Sequence, residues 1–114
     1  MSLEKAKNHF LGKDGHVRLN CARAVAEAFR NIFSPEPALL EHLAVSSGGR
    51  APDGYCGAFY AAKRLLGPED PRLAECEASF VKTAGSVKCR EIKALKKLPC
   101  VGCVEIAARS LERS

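Results

Sequence analysis

A chain of 114 residues suits one domain, and with 46% apolar residues it can build a packed core. Trp is absent and aromatics make up 6%, so that core must be mostly aliphatic with some Phe. The net charge of +5 favours acidic partners and thiolate character, but it falls short of a nucleic-acid signature. The longest basic cluster, Lys88 to Lys97, is broken by Glu91 and apolar residues and reads as the solvated face of a helix. No apolar run approaches the length of a membrane span, and the first ten residues lack the apolar stretch of a secretory leader. The expectation is a cytoplasmic protein with no membrane span.

The helical elements follow in chain order. Leu3, Ala6 and Phe10 set a short helix over Leu3–Leu11, closed by the turn Gly12-Lys-Asp-Gly15. A second helix runs from about Cys21 to Phe33, capped by Asn20, with Cys21, Val25, Phe29 and Ile32 on one face. Ser34-Pro-Glu-Pro37 ends it and opens a third, striped by Leu39, Leu40, Leu43 and Ala44. Residues 46–54 form the one long loop, whose glycines allow a close backbone approach. A fourth helix, roughly Tyr55–Leu66, is rich in small residues and is expected at the centre of the fold. A fifth starts at Asp70-Pro71, runs to about Thr83, lines its inner face with Leu73, Cys76 and Phe80, and stops at Gly85. Ser86 caps a sixth carrying Cys89, Ile92 and Leu95, ended by Pro99. The last, Cys100 to about Leu111, buries Val104, Ala107, Ala108 and Leu111. No strand alternation is present. The expectation is an all-α fold, a single compact bundle of six to seven short helices over residues 1–114.

Four of the six cysteines, Cys21, Cys56, Cys89 and Cys100, fall where a helix begins. A helix start presents unpaired N–H groups and partial positive charge, which favour a thiolate over a thiol. Thiolates attack disulfides, hold metals and sense oxidants. In a cytoplasmic chain six cysteines are more often redox-active or metal-binding than structural staples. Cys100-Val-Gly-Cys103 is the only C-x-x-C, a spacing that suits a dithiol or two ligands to one metal. No second C-x-x-C, ferredoxin run or thioredoxin-like βαβ context accompanies it. Cys103 reads equally as a small buried hydrophobe, and Cys76, between Glu75 and Glu77, reads as core. His9, His16 and His42 are scattered and read as surface or capping residues, His16 being the one shortly before Cys21. No Ser/His/Asp, H-E-x-x-H or P-loop pattern occurs.

At these residues the chain resembles the family of redox-active proteins named for a C…GCAxxG…C…C pattern. The resemblance covers about residues 20–111, leaving 1–19 as an N-terminal helix and turn. Asn20-Cys21-Ala22-Arg23-Ala24-Val25 is similar to the family's N-C-A-Q-A-V helix start. Ser47-Gly48-Gly49 with Cys56-Gly57-Ala58 resembles its glycine-rich loop and C-G-A segment. Gly85-Ser86-Val87-Lys88-Cys89-Arg90-Glu91 resembles its G-S-x-x-C-R-E stretch, and Cys100 with Val104, Ala107 and Ala108 its closing C-x-x-x-V helix. Two departures stand out: Ala61 replaces the last glycine of C-G-A-x-x-G, and the segment before Cys21 is longer than expected. The resemblance implies that Cys21, Cys56, Cys89 and Cys100 form the working set, with Cys76 and Cys103 as extras.

The functional expectation is a small oxidoreductase or electron-transfer protein in which Cys21, Cys56, Cys89, Cys100 and Cys103 carry the chemistry. In one version a helix-start thiolate, Cys56 or Cys100, attacks a disulfide and a neighbour resolves it. In the other, Cys21, Cys56, Cys89 and Cys100 ligate an iron–sulfur cluster or another metal, beside Gly48, Gly49 and Gly57 as cofactor-binding positions. The dispersal of four cysteines favours the cluster. The expected partner is a redox protein, with self-association left open. Two rival readings are a helical binding or structural module stabilised by zinc or disulfides, and a basic adaptor for an acidic protein or nucleic acid.

Overall fold

The computed structural model describes residues 2–46 and 50–112. Eight α-helices occur among them: α1 (Ser2–Leu11), α2 (Cys21–Ala28), α3 (Arg30–Phe33), α4 (Pro37–Leu43), α5 (Gly57–Leu66), α6 (Pro71–Ala84), α7 (Cys89–Leu95) and α8 (Cys100–Glu112). A single 3-10 turn, Pro52–Gly54, precedes α5. The fold is an all-α bundle of short helices, and its Cα radius of gyration of 12.4 Å is close to the ~13 Å expected for a packed chain of this length. No helix among the described residues is long and apolar enough to cross a membrane.

Helix α5 lies at the centre, packed on α2, α6 and α8. Its small residues explain this: Gly57, Ala58, Ala61 and Ala62 are fully buried or nearly so, and short side chains let neighbouring backbones close in. Ala61, where the resembled family has glycine, is completely buried against these neighbours. Phe59 from α5 and Phe80 from α6 meet edge to face, with centroids 5.5 Å apart, and form the largest buried aromatic pair. The N- and C-terminal helices are joined by Lys7–Glu105 at 3.1 Å and by the Leu3 amide donating to Glu112 at 2.8 Å. Such surface pairs contribute at most about 1 kcal/mol each. The burial of Ala6, Val104, Ala107, Ala108 and Leu111 does more to hold α1 on α8.

Four expectations need correction. The second helix is not continuous to Phe33. Phe29 leaves helical geometry (φ −108°, ψ 14°), so α3 restarts in a new register, with Phe33 packed on the core and Ile32 64% exposed. Ala44 is an exposed C-cap rather than part of the α4 stripe. Ser86 is not the cap of α7; Lys88 holds that position. The Ser86 hydroxyl instead accepts from the Lys88 amide and donates to Glu91 at 2.6 Å, bracing the turn from one step earlier. Pro99 does not end α7, which stops at Lys96 in a left-handed conformation. Pro99 immediately precedes α8, its carbonyl accepting from the Gly102 and Cys103 amides.

Candidate functional site

The start of α2 is built by Asn20. Its side-chain oxygen accepts from the Arg23 amide at 2.7 Å, which caps the helix. Its amide group donates to the Leu43 and Ala44 carbonyls, tying the end of α4 to the same point. Cys21, the first residue of α2, is thereby held inward and buried. The start of α5 comes up beside it. Cys56 is the N-cap of α5, and its amide donates to the Val87 carbonyl at 2.7 Å, next to the antiparallel bridge Tyr55–Lys88. That bridge sets the beginnings of α5 and α7 side by side. Cys89 opens α7 and is half-buried, and Cys100 opens α8 and is exposed. All four helix-start cysteines therefore stand at helix starts in the folded chain.

Three thiols are neighbours. Cys21 lies beside Cys56, and Cys56 lies beside Cys103, one turn into α8. All three are buried, with Cys103 2% exposed. Gly57 is what lets them close in. A Cβ there would come within 2.5 Å of Cys21 Sγ and 2.6 Å of the Ser46 carbonyl oxygen. The space beside Gly57, expected to admit a cofactor, is filled by the protein itself. Gly48 and Gly49 lie outside the described residues.

The electrostatics of these thiols overturn the expectation of helix-start thiolates at Cys21 and Cys56. The hydrogen bond with Cys56 and then burial push the Cys21 thiol far above its ordinary range, with the charge of Cys56 adding to both. The amides of Ala58 and Ala22 pull the other way, as helix starts should, and lose. Cys56 is pushed up to about 12, first by its hydrogen bond with Cys103. The bond from Cys21 lowers it, and burial raises it again. Cys76 is core, as expected: wholly buried, with its thiol raised by burial and by Glu77 against a hydrogen bond to Ser110.

A zinc ion or an iron–sulfur cluster needs three or four thiolates converging on one point. Among the described residues no three His, Cys, Asp or Glu side chains are grouped so as to hold an ion. Cys21, Cys56, Cys89 and Cys100 thus do not meet as one ligand set among the described residues. The described residues, as they stand, do not fit such a group. The histidines are also accounted for. His42 pairs with the Tyr60 hydroxyl at 2.8 Å, while His9 and His16 meet edge to face and bond the Val17 and Lys13 carbonyls.

Two features were missed in the sequence. One is the partnership of Cys103 with Cys56, which the C-x-x-C signalled only locally. The other is a cavity of about 340 Å³ between α7 and α8, lined by Ile92, Lys93, Lys96, Leu98, Pro99 and Cys100. Its lysines belong to the basic run read as a solvated face. A larger cleft of about 740 Å³, lined by residues of α1 to α3 and the α1–α2 connection, includes no cysteine. None of the family models, curated proteins or solved structures compared with the chain matches it.

Proposed function

We propose that the chain is a small helical thiol–disulfide redox protein, with Cys100 as the reacting thiol and Cys103 as its resolving partner. One observation carries the reading. Cys100 is exposed and Cys103 is buried one turn behind it on the same helix, and Cys103 contacts Cys56, which in turn contacts Cys21. Residues three apart on a helix have Cα atoms about 5 Å apart, inside the roughly 4.4–6.8 Å that a disulfide spans. Of this pair, the exposed Cys100 is the sulfur an incoming disulfide can reach.

The chemistry is a two-electron exchange. Cys100, as thiolate, attacks one sulfur of a disulfide RSSR, forming Cys100–S–SR and expelling RS⁻. Cys103 loses its proton and attacks Cys100 Sγ, expelling the second RS⁻. The two leaving thiolates take up the two protons, giving two RSH and a Cys100–Cys103 disulfide. The protein dithiol is oxidised and the incoming disulfide is reduced. A redox partner protein running the reverse reaction restores the dithiol. The resemblance to the C…GCAxxG…C…C proteins points to the same redox reading, and Cys103, an extra to that pattern but expected among the reacting cysteines, takes the resolving role. The cytoplasmic expectation belongs to this proposal, since a reversible dithiol needs a reducing compartment.

The test is a free-thiol count after mild oxidation, with peptide mapping. Two of the six thiols should be lost, mapped to Cys100 and Cys103, and Cys100→Ser should abolish the loss. Six thiols that stay unreactive in the folded protein would defeat the reading.

A further inference from the structure

We propose that Cys100 draws its disulfide from small anionic disulfides. Their carboxylates would lie against Lys93 and Lys96, and their methylenes on Ile92, Leu98 and Pro99. The inference rests on Cys100 being the reacting thiol, and it adds the class of substrate.

The cavity of about 340 Å³ beside Cys100 has the size of a small-molecule site. Gly102 gives it its floor. A Cβ there would stand 2.6 Å from both Cγ and Cδ1 of Leu98, so the glycine leaves room for Leu98 against the first turn of α8, where Leu98 and Cys100 line the same cavity. Ile92, buried, and Pro99 complete an apolar surface. The rim is cationic. Lys93 and Lys96 both line the cavity, both are exposed, and neither pairs with a carboxylate among the described residues. Lys96 holds its place in a left-handed conformation (φ 54°, ψ 25°), at a helix end where glycine or asparagine is the usual residue.

These observations select the occupant. Two ammonium groups without an internal counter-charge favour an anion over a neutral or cationic ligand. A reacting sulfur in the cavity wall selects a disulfide. The apolar floor suits the aliphatic part of a peptidyl thiol, and the small volume suits half of a small disulfide better than a folded domain. In the first exchange step this positions one sulfur of the disulfide at Cys100 Sγ, and the displaced half leaves as its thiolate into solvent.

The experiment uses the full reduced chain and two probes: glutathione disulfide, which is anionic, and bis(2-hydroxyethyl) disulfide, which is neutral. Second-order rate constants for modification of Cys100 are read by acid quench and peptide mass. Charge reversal, Lys93→Glu with Lys96→Glu, should lower the glutathione-to-hydroxyethyl rate ratio by ~10-fold or more, and high salt should compress the wild-type ratio the same way. Lys93→Gln with Lys96→Gln serves as a milder pair and should give an intermediate fall. A ratio unchanged within about twofold in both pairs overturns the inference, as does a protein disulfide flanked by acidic residues that outpaces glutathione disulfide. In either case continued reaction of Cys100 with the neutral disulfide leaves the exchange reading standing, whereas no reaction with any disulfide removes both.

Discussion

Cys21 and Cys100 are each the first residue of an α-helix, yet their surroundings are opposite. Cys21 is sealed between α2, the Ser46 carbonyl and Gly57, and its thiol is committed to Cys56. Cys100 stands in the wall of an open cavity. The contrast shows that a helix terminus supplies only one contribution to a thiol's behaviour. At Cys21 the amides of Ala22 and Ala58 do favour the thiolate, but a thiol–thiol bond and burial outweigh them. Local position assigns a cysteine to a helix start, and what packs over it decides whether it can react.

The sharpest probe of this contrast is alkylation at pH 8. A thiol with a pKa of about 12 is ionised to only ~10⁻⁴ there. Buried and with raised thiol pKa values, Cys21 and Cys56 should react far more slowly than the exposed Cys100 when each is followed by isotope-coded labelling and peptide mass. Comparable rates at all three positions would erase the distinction.

Alkaline unfolding gives the next largest effect. Above the ordinary thiol pKa of about 8.5, the unfolded chain gives up protons that folded Cys21 and Cys56 retain. Their contribution to stability is complete below that pH and fades as pH rises toward about 12 for Cys56. Denaturant titrations between pH 8.5 and 11 should show stability falling as pH rises, the slope steepening to roughly 1 kcal/mol per pH unit for each thiol once the unfolded thiols are fully ionised. Cys56→Ala should reduce that slope.

Two glycines then compare the regions by packing. Gly57→Ala drives a methyl into a backbone oxygen and a confined sulfur, and should cost about 1–3 kcal/mol. Gly102→Ala meets only the Leu98 side chain, which can swing away, while the helix gains up to about 1 kcal/mol in propensity. Its net change should lie within about 1 kcal/mol of zero, at the expense of the cavity floor. Equal losses in thermal melts would show that the start of α8 is as tightly closed as that of α5. Asn20→Ala should cost about 1 kcal/mol from the lost cap. It should also raise Cys21 alkylation without changing Cys100, because the tie to Leu43 and Ala44 is lost with it.

Much of the helical framework was legible because its signals are local. Asn20 and Asp70 cap α2 and α6 as their chemistry suggests, and Gly85 closes α6 in the left-handed conformation expected of it. The small residues of α5 marked it as central before any neighbour was known. Boundaries were missed where a non-glycine residue took an unusual conformation: Phe29 breaking α2 from α3, and Lys96 ending α7 ahead of Pro99. Neither residue type carries a stop signal, so nothing short of packing could reveal them. The site was legible in part. The four helix-start positions stand as read and the C-x-x-C spacing already paired Cys103 with Cys100, but the neighbouring of Cys103 and Cys56 comes through α5–α8 packing that no spacing encodes.

From the order of residues alone came an all-α chain with cysteines at the heads of its helices, since caps, glycine stops and apolar periodicity act within one or two turns. Which sulfurs share a pocket, which are locked as thiols and which one faces solvent was decided only when α2, α5 and α8 packed together. Burial and thiol–thiol contact arise between segments far apart in the chain, and at Cys21 they outweigh the electrostatic preference that the helix start supplies locally.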